Sequence, residues 1–361
     1  MNELEKNRQV IDEIDSEISK LFEQRMQAVG EIAEYKKRHG LPVFDKSRED
    51  ALIKNNSQRI SNSTLCEYYV KFIKDLMETS KKYQYRIING AKIAYCGEEG
   101  AFAHLAGLKA YPGAEFIAYG DFGSVYKAVE NGDCDIAVLP IENSYAGDVG
   151  AVMDLMFSGS LFVNSVIEME ISHNLLIKED ASIDDVKYVV SHPQALEQCE
   201  DFITARGFEK ISYSNTALAS KYVAEQCDKT YGAIGSIETA KKYGLKVAQS
   251  GINSSKINTT RFALLSRCKH TPLEEERNGN EHFIMAFTTQ NEAGALANAL
   301  NIIGAHNFNM RTLRSRPMKE LLWNYYFYVE AEGNISTENG REMLQELSAV
   351  CARVKLIGTY N

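Results

Sequence analysis

In the first 89 positions apolar residues recur every three or four places (Leu4, Ile11, Ile14, Ile18, Leu21, Phe22, Val29, Ile32), the period of one helix face, with no strand-like alternation. The stretch "HGLPVFDKSRED" breaks the run: Gly40 and Pro42 end one long helix, and Asp45 is placed to cap a second. A third helix is predicted from about Ser63 to Tyr85. From Gly90 to about Lys269 short apolar runs such as "KIAYCG", "CDIAVLP", "VKYVVSH", "YGAIGS" and "RFALLS" alternate with helical stretches, which predicts an α/β section with largely parallel sheets. The polar segment 270–280 reads as a linker. The last section, 281–361, reads strand, helix, strand, strand, helix, strand.

Charge changes the picture in the first helix. Its apolar stripe also carries Arg8, Arg25 and Lys36, and buried cations are costly unless paired. The third helix behaves alike, with Tyr69, Phe72 and Leu76 continued by Ser80 and Gln84. An anionic ligand inside a helical bundle accounts for both; cations snorkelling along a dimer interface are the other reading. Arg8 and Arg25 stand 17 residues apart, roughly 25 Å along a helix, too far to grip one small molecule together. Arg8 is therefore expected to serve a second copy of the chain, and the long first helix favours an interlocked dimer.

Taken together, Arg8, Arg25, Lys36, Asp45, Arg48, Glu49, Ser80 and Gln84 resemble, across 1–86 with spacing intact, the helical class of chorismate mutase. The resemblance implies that Arg25, Arg48 and a partner chain's Arg8 bind the two carboxylates of chorismate, assisted by Ser80. Asp45 and Glu49 would hold the ring hydroxyl, and Lys36 and Gln84 the ether oxygen. A Claisen rearrangement needs no nucleophile and no cofactor, only a compact conformer and stabilisation of the charge growing on the breaking C–O bond.

The middle section holds "YCGEEGAFAHLA", "VLPIENSYAGDVG", "VVSHPQALEQC" and "INTTRF", each placing small polar residues beside an apolar run, where loops at strand ends build ligand sites. "GEEGAF" lacks the spacing of a dinucleotide or phosphate loop. Together the four stretches resemble prephenate dehydratase over 91–268, a family whose fold is similar to two-lobed periplasmic binding proteins. The resemblance implies that Thr260 donates to the departing 4-hydroxyl of prephenate. Asn143, Ser144 and Gln194 would complete the polar cleft, with Arg261 orienting the loop or a carboxylate. His192 is the rival acid, since an unperturbed imidazole titrates near pH ~6.5; His104 and His173 follow it.

"NEAGALANAL" and "LRSRPMKELLWNYYFYVE" resemble the two phenylalanine-binding motifs of the regulatory ACT domain, and the βαββαβ order of 281–361 is that of a ferredoxin-like module. Gly294, Ala295 and Leu296 would form the first motif; Asn309, Ser315, Arg316 and Pro317 match the second. Arg314 departs from it, because the family usually has glutamate there.

Composition adds exclusions. Of the 361 residues 44% are hydrophobic and 25% charged, and the chain opens "MNELEKNRQV" with no apolar leader, so a cytoplasmic protein without membrane partner is expected. The net charge is −9 and residues 1–89 are nearly neutral, with 16 Lys and Arg against 15 Asp and Glu, which offers nucleic acid no general attraction. Seven cysteines without a C-x-x-C pair suggest neither disulfides nor a metal site. The expected protein is a cofactor-free bifunctional enzyme taking chorismate to prephenate and then phenylpyruvate, controlled by phenylalanine, as a homodimer or tetramer through its helical and ACT sections. Arogenate dehydration and a non-catalytic small-molecule sensor are the alternatives.

Overall fold

The computed structural model describes residues 2–255, 257–269, 280–318 and 324–361. The expected linker, apart from Asn280, lies outside them, as does "KELLW" of the last motif. The chain divides into two compact units, Met1–Ala91 with Gly113–Glu115, and Lys92–Pro112 with Phe116–Asn361.

The first unit is helical: α1 (Glu3–His39), α2 (Lys46–Ser57) and α3 (Ser63–Asn89). A capping box between Asn2 and Glu5 starts α1, and Gly40, at φ 63°, ends it in the left-handed conformation that favours glycine. The Asp45 carboxylate accepts from the Arg48 amide and starts α2. The C-terminal half of α1 buries Val29 and Ala33, while α3 buries Ile73, Met77, Ser80 and Gln84. The N-terminal half of α1 is different. Leu4, Ile11, Ile14, Ile18 and Leu21 are 46–62% exposed, so its apolar stripe is left largely uncovered by the described residues. No helix among the described residues is long and apolar enough to cross a membrane.

The second unit contains β1 (Lys92–Cys96), α4 (Phe102–Ala110), β2 (Glu115–Tyr119), α5 (Phe122–Glu130), β3 (Ile136–Asn143), β4 (Gly147–Asp148), α6 (Gly150–Ser158) and β5 (Phe162–Glu170). There follow β6 (Asn174–Lys178), β7 (Tyr188–Ser191), α7 (Pro193–Glu197), α8 (Glu200–Arg206), β8 (Glu209–Ser212), α9 (Thr216–Glu225), β9 (Tyr231–Gly235), α10 (Ile237–Tyr243), β10 (Leu245–Gln249) and β11 (Thr259–Ser266). The last part adds β12 (His282–Thr288), α11 (Ala295–Ala305), β13 (Asn309–Pro317), β14 (Tyr325–Glu332), α12 (Glu338–Val350) and β15 (Arg353–Tyr360). One sheet runs β13-β14-β12-β15-β5-β11-β3-β1-β2 and a second β10-β6-β9-β7-β8.

The sheets are mixed rather than largely parallel. β1–β3, β7–β8 and β7–β9 are parallel, but β11 pairs antiparallel with both β3 and β5, and β6 antiparallel with β9 and β10. The physical reason is the route of the chain: β5 leaves the first sheet for the second and β11 brings it back, so two crossing segments lie side by side in opposite directions. An alternation of strands and helices does not reveal a chain that returns to its first sheet. In the last part β13, β14, β12 and β15 are antiparallel neighbours, and β15 meets β5 through Gly358 and Val163. A Cβ on Gly358 would stand 2.0 Å from the Val163 carbonyl oxygen, so only glycine permits that approach.

Candidate active sites

In the helical unit the structure brings Arg25 and Ser80 together across the α1–α3 contact. The Arg25 guanidinium donates to Ser80 Oγ, whose own hydroxyl donates to the Leu76 carbonyl at 2.7 Å. Lys36 Nζ donates to the Val43 carbonyl at 2.8 Å, tying the end of α1 to the turn before α2. Glu49 pairs with Lys81 at 3.1 Å, and Lys81 also stands 5.5 Å over the Phe44 ring. Sequence reasoning missed Lys81; its one signal was a third-helix cation one residue from Ser80. Gln84 is 8% exposed, and its Oε1 has no hydrogen-bond partner among the described residues, a costly vacancy for a buried acceptor. Asp45 is occupied as the α2 cap, with the Arg48 backbone amide first and the Ser47 hydroxyl second holding its carboxyl below the usual range. Arg48 and Arg8 are exposed, and Arg8 stays remote from Arg25 along α1. Beside Arg25 a groove of about 880 Å³, lined by Ile18, Leu21, Phe22, Leu52, Tyr69 and Phe72 among others, opens between the three helices.

The second site is a cavity of about 210 Å³ in the larger unit. Asn143, Gln194 and Thr260 all line it, with Phe102, His173, His192, Gln198, Asn215, Thr216 and Phe262. These come from the ends of β1, β3, β5, β7 and β8 and the start of β11, so strand ends build the site as the spacing of the motifs predicts. Asn143 Nδ2 donates to Thr260 Oγ1 at 2.9 Å and to Asn258 Oδ1 at 2.8 Å. Its Oδ1 accepts from the backbone of Tyr145 and Ala146. Asn258 Nδ2 donates to Gln198 Oε1 at 3.1 Å, which also meets His173 Nε2 at 2.8 Å. The result is a buried chain of amides from His173 to Thr260. Gln198 and Asn258 were missed, because an amide inside "ALEQC" or "KINTT" has no distinguishing pattern until the fold joins the two.

A β-bulge decides which residue faces Thr260. Across β11 and β3, Phe262 pairs with Pro140, but Arg261 pairs with Glu142 and Thr260 with Asn143. Pro140 and Asn143 therefore both face the cavity although they stand three positions apart, with Ile141 the extra residue. Without the bulge Glu142 would stand opposite Thr260.

Two expected site residues lie elsewhere. Arg261 points to the opposite face of β11 from Thr260, as strand alternation requires, and meets Glu142, Glu330 and Tyr360 instead of the cavity. It is not among the residues that line the cavity. Ser144 is exposed, and its hydroxyl accepts from the Thr259 amide at 2.9 Å, stitching β3 to β11 outside the cavity. Of the histidines, His192 lines the cavity and accepts from the Gln194 amide through Nδ1, while burial pushes its pKa down. His173 is 2% exposed and also lowered by burial, and its Nδ1 has no partner among the described residues. His104 lies outside the cavity, packed against Tyr95 and Phe116.

In the last part Gly294, at φ 87°, precedes α11 with Ala295 and Leu296 in its first turn and no side-chain cap. Asn309 donates to Glu332 at 2.9 Å, and Ser315 is exposed. Arg316 does not join them: it pairs with Asp154 of α6 at 2.7 Å, whereas Leu313 packs into the core beneath α11 and α12. Alternation along β13 sends Arg314 the same way as Arg316, to Asp148 and Glu142. The arginine that departs from the expected motif thus has its counter-charge inside the same chain.

Two family models match the chain: chorismate mutase type II over residues 7–85 and prephenate dehydratase over 93–270. A bifunctional chorismate mutase/prephenate dehydratase of Enterobacter agglomerans is 30% identical over 369 residues, covering 98% of this chain and 94% of that protein. Arogenate dehydratase 2 of Petunia hybrida is 32% identical over 283 residues, covering 74% and 71%. The solved prephenate dehydratase of Staphylococcus aureus superposes with a TM-score of 0.65 at 26% identity, over 75% of this chain and all of that one.

Proposed function

Because this chain belongs to the bifunctional chorismate mutase/prephenate dehydratase family, we propose an assignment of each step to the side chains found at its two sites. The enzyme rearranges chorismate to prephenate in the helical unit and converts prephenate to phenylpyruvate in the larger one. The observation that carries the second assignment is the bond from Asn143 Nδ2 to Thr260 Oγ1. An amide N–H already fills an acceptor position on that oxygen, so the hydroxyl proton is directed away, toward the cavity, where it donates to the leaving hydroxyl of prephenate. Aromatisation drives decarboxylation with loss of water, and the protein's task is to hold the dianion and assist departure of hydroxide.

None of the described residues lining the cavity is Lys, Arg, Asp or Glu. The carboxylates of prephenate are met instead by helix N-termini: α4 begins at the cavity wall without a side-chain cap, and α9 begins at Asn215 and Thr216. Gln194 supplies a further donor. The unpartnered His173 Nδ1 is an acceptor for an O–H of the bound molecule.

In the helical unit Arg25 with Ser80, and Arg48, take the carboxylates of chorismate. Lys36 keeps two N–H groups beyond its bond to Val43 for the ether oxygen, and Gln84 faces the same oxygen. Glu49 and Asp45 accept from the ring hydroxyl. The exposed stripe of α1 supports a dimer in which a second copy covers Leu4 to Leu21 and brings its own Arg8 to the site. The C-terminal βαββαβ part acts as the ACT module, with phenylalanine received at Gly294–Leu296, Asn309 and Ser315. The deciding experiment follows both products from chorismate with the purified full chain, compares prephenate with arogenate as the second substrate, and repeats each with phenylalanine. Absence of prephenate, phenylpyruvate and phenylalanine alike would leave only the sensor.

A further inference from the structure

Thr260 and Asn143 do not hold each other in place unaided. Their chain neighbours Arg261 and Glu142 form a second cross-strand pair on the opposite face of the sheet, with Nη1 to Oε2 at 3.1 Å. Arg261 is also gripped from the C-terminal part: Nη1 to Glu330 Oε2 at 3.0 Å, Nη2 to Glu330 Oε1 at 2.7 Å, and Nη2 to the Tyr360 hydroxyl at 2.7 Å. The Tyr360 hydroxyl donates in turn to Glu330, which closes the triangle. Glu330 is 1% exposed, and the side chain of Arg261 14%. A forked, two-bond pair of this kind fixes direction as well as charge. The fourth neighbour, Glu168 of β5, lies 3.8 Å from Arg261 Nε and is mostly exposed.

We infer that Glu330 and Tyr360 are positioning residues for the dehydration step, acting through Arg261 on the bulged register that sets Asn143 opposite Thr260. The inference rests on the dehydratase reading given above. Without the bulge Glu142 would take the place of Asn143 opposite Thr260, and a carboxylate there would repel the dianion. Arg261 holds Glu142 on the outer face, and Glu330 with Tyr360 hold Arg261. The C-terminal part is on this account a structural member of the catalytic site, whatever effector it binds. Burial opposes ionisation of Glu330, but the bonds from Arg261 and Tyr360 more than offset it and keep the carboxylate charged.

The test uses the full chain and measures both reactions in each preparation. Glu330→Gln and Tyr360→Phe should lower kcat for phenylpyruvate formation, by about 30-fold and about fivefold, while KM for prephenate and the mutase rate stay within twofold. Adding Glu330→Gln to Arg261→Gln should lower kcat no further than Arg261→Gln does alone, because the two act as one unit. A kcat unchanged in both Glu330→Gln and Tyr360→Phe would overturn the inference, as would fully additive losses or a rise in KM alone. Tyr360→Phe removes one hydroxyl and nothing else, so it remains informative if Glu330→Gln fails to fold. If the unaltered chain makes no phenylpyruvate from prephenate, it is the dehydratase reading that falls, and the variants are then not needed to show it.

Discussion

Arg25 and Lys36 stand part-exposed on a helix whose N-terminal half is left largely uncovered by the described residues, whereas Asn143 and Gln198 are 6% and 5% exposed in a cavity with no charged wall among its described residues. Under the proposed function both sites receive an anion. The helical site meets it with formal charges carried on long side chains, which are strong only once water is displaced. The cavity meets it with dipoles and amide hydrogens that other residues already hold in direction. On the proposed reading the cavity is completed within one chain and the helical site through a second copy.

The largest effect expected on this comparison is at the cavity. Thr260→Val keeps shape and β-branching but removes the donor, so prephenate turnover should fall about 10³-fold, the upper range for losing one directed donor, with folding and the mutase rate intact. Thr260→Ser should keep a measurable fraction, and Thr259→Val, whose side chain points away, should change turnover less than twofold. Near-normal turnover by Thr260→Val, followed as phenylpyruvate, would remove the cavity from the chemistry.

Next comes Lys36→Ala, expected to slow chorismate rearrangement about 10²-fold while dehydration survives; equal loss of both activities would show one site rather than two. The dimer is checked by mixing Arg8→Ala with Arg25→Ala protein, since one site in a mixed dimer keeps both arginines. Recovery of a fraction of mutase activity is expected once subunits exchange, and none would place Arg8 outside the site.

A smaller effect separates charge from dipole. Raising ionic strength from about 0.05 to about 0.5 M screens exposed cations, so KM for chorismate should rise severalfold and KM for prephenate less than twofold, measured as initial rates on one preparation. Equal dependence would mean that the cavity draws on a charge outside its described lining.

The smallest effect concerns protons. Burial lowers the pKa of His173, His192 and His104 below the ordinary 6.5. Neutral rings are favoured in the folded state, so this stability is fully present above about pH 6.5 and is lost as pH falls toward the lowered values. The thermal midpoint should drop on acidification through that window, and His173→Gln should flatten the drop. A midpoint that rises on acidification would contradict the neutral, buried rings.

Periodicity and capping residues determined much by themselves. Three helices, their breaks at Gly40 and Asp45, and the βαββαβ order of the last section follow from local backbone preference and from which face each residue takes, which neighbours in sequence decide. Thr260, Asn143 and Gln194, which line one cavity, were singled out by the resemblance of their motifs to a known family and not by periodicity, since a polar residue at a strand end is more often a cap. The tertiary structure alone decided the rest. The crossing of β5 and β11 between sheets, the bulge at Ile141, the turning of Arg261 toward Glu330 and the pairing of Arg314 with Asp148 all depend on partners tens to hundreds of residues away. Local sequence carries no term for such a partner: a one-residue shift in register reverses every side chain on a strand, and only the closed network of charges and amides selects between the two.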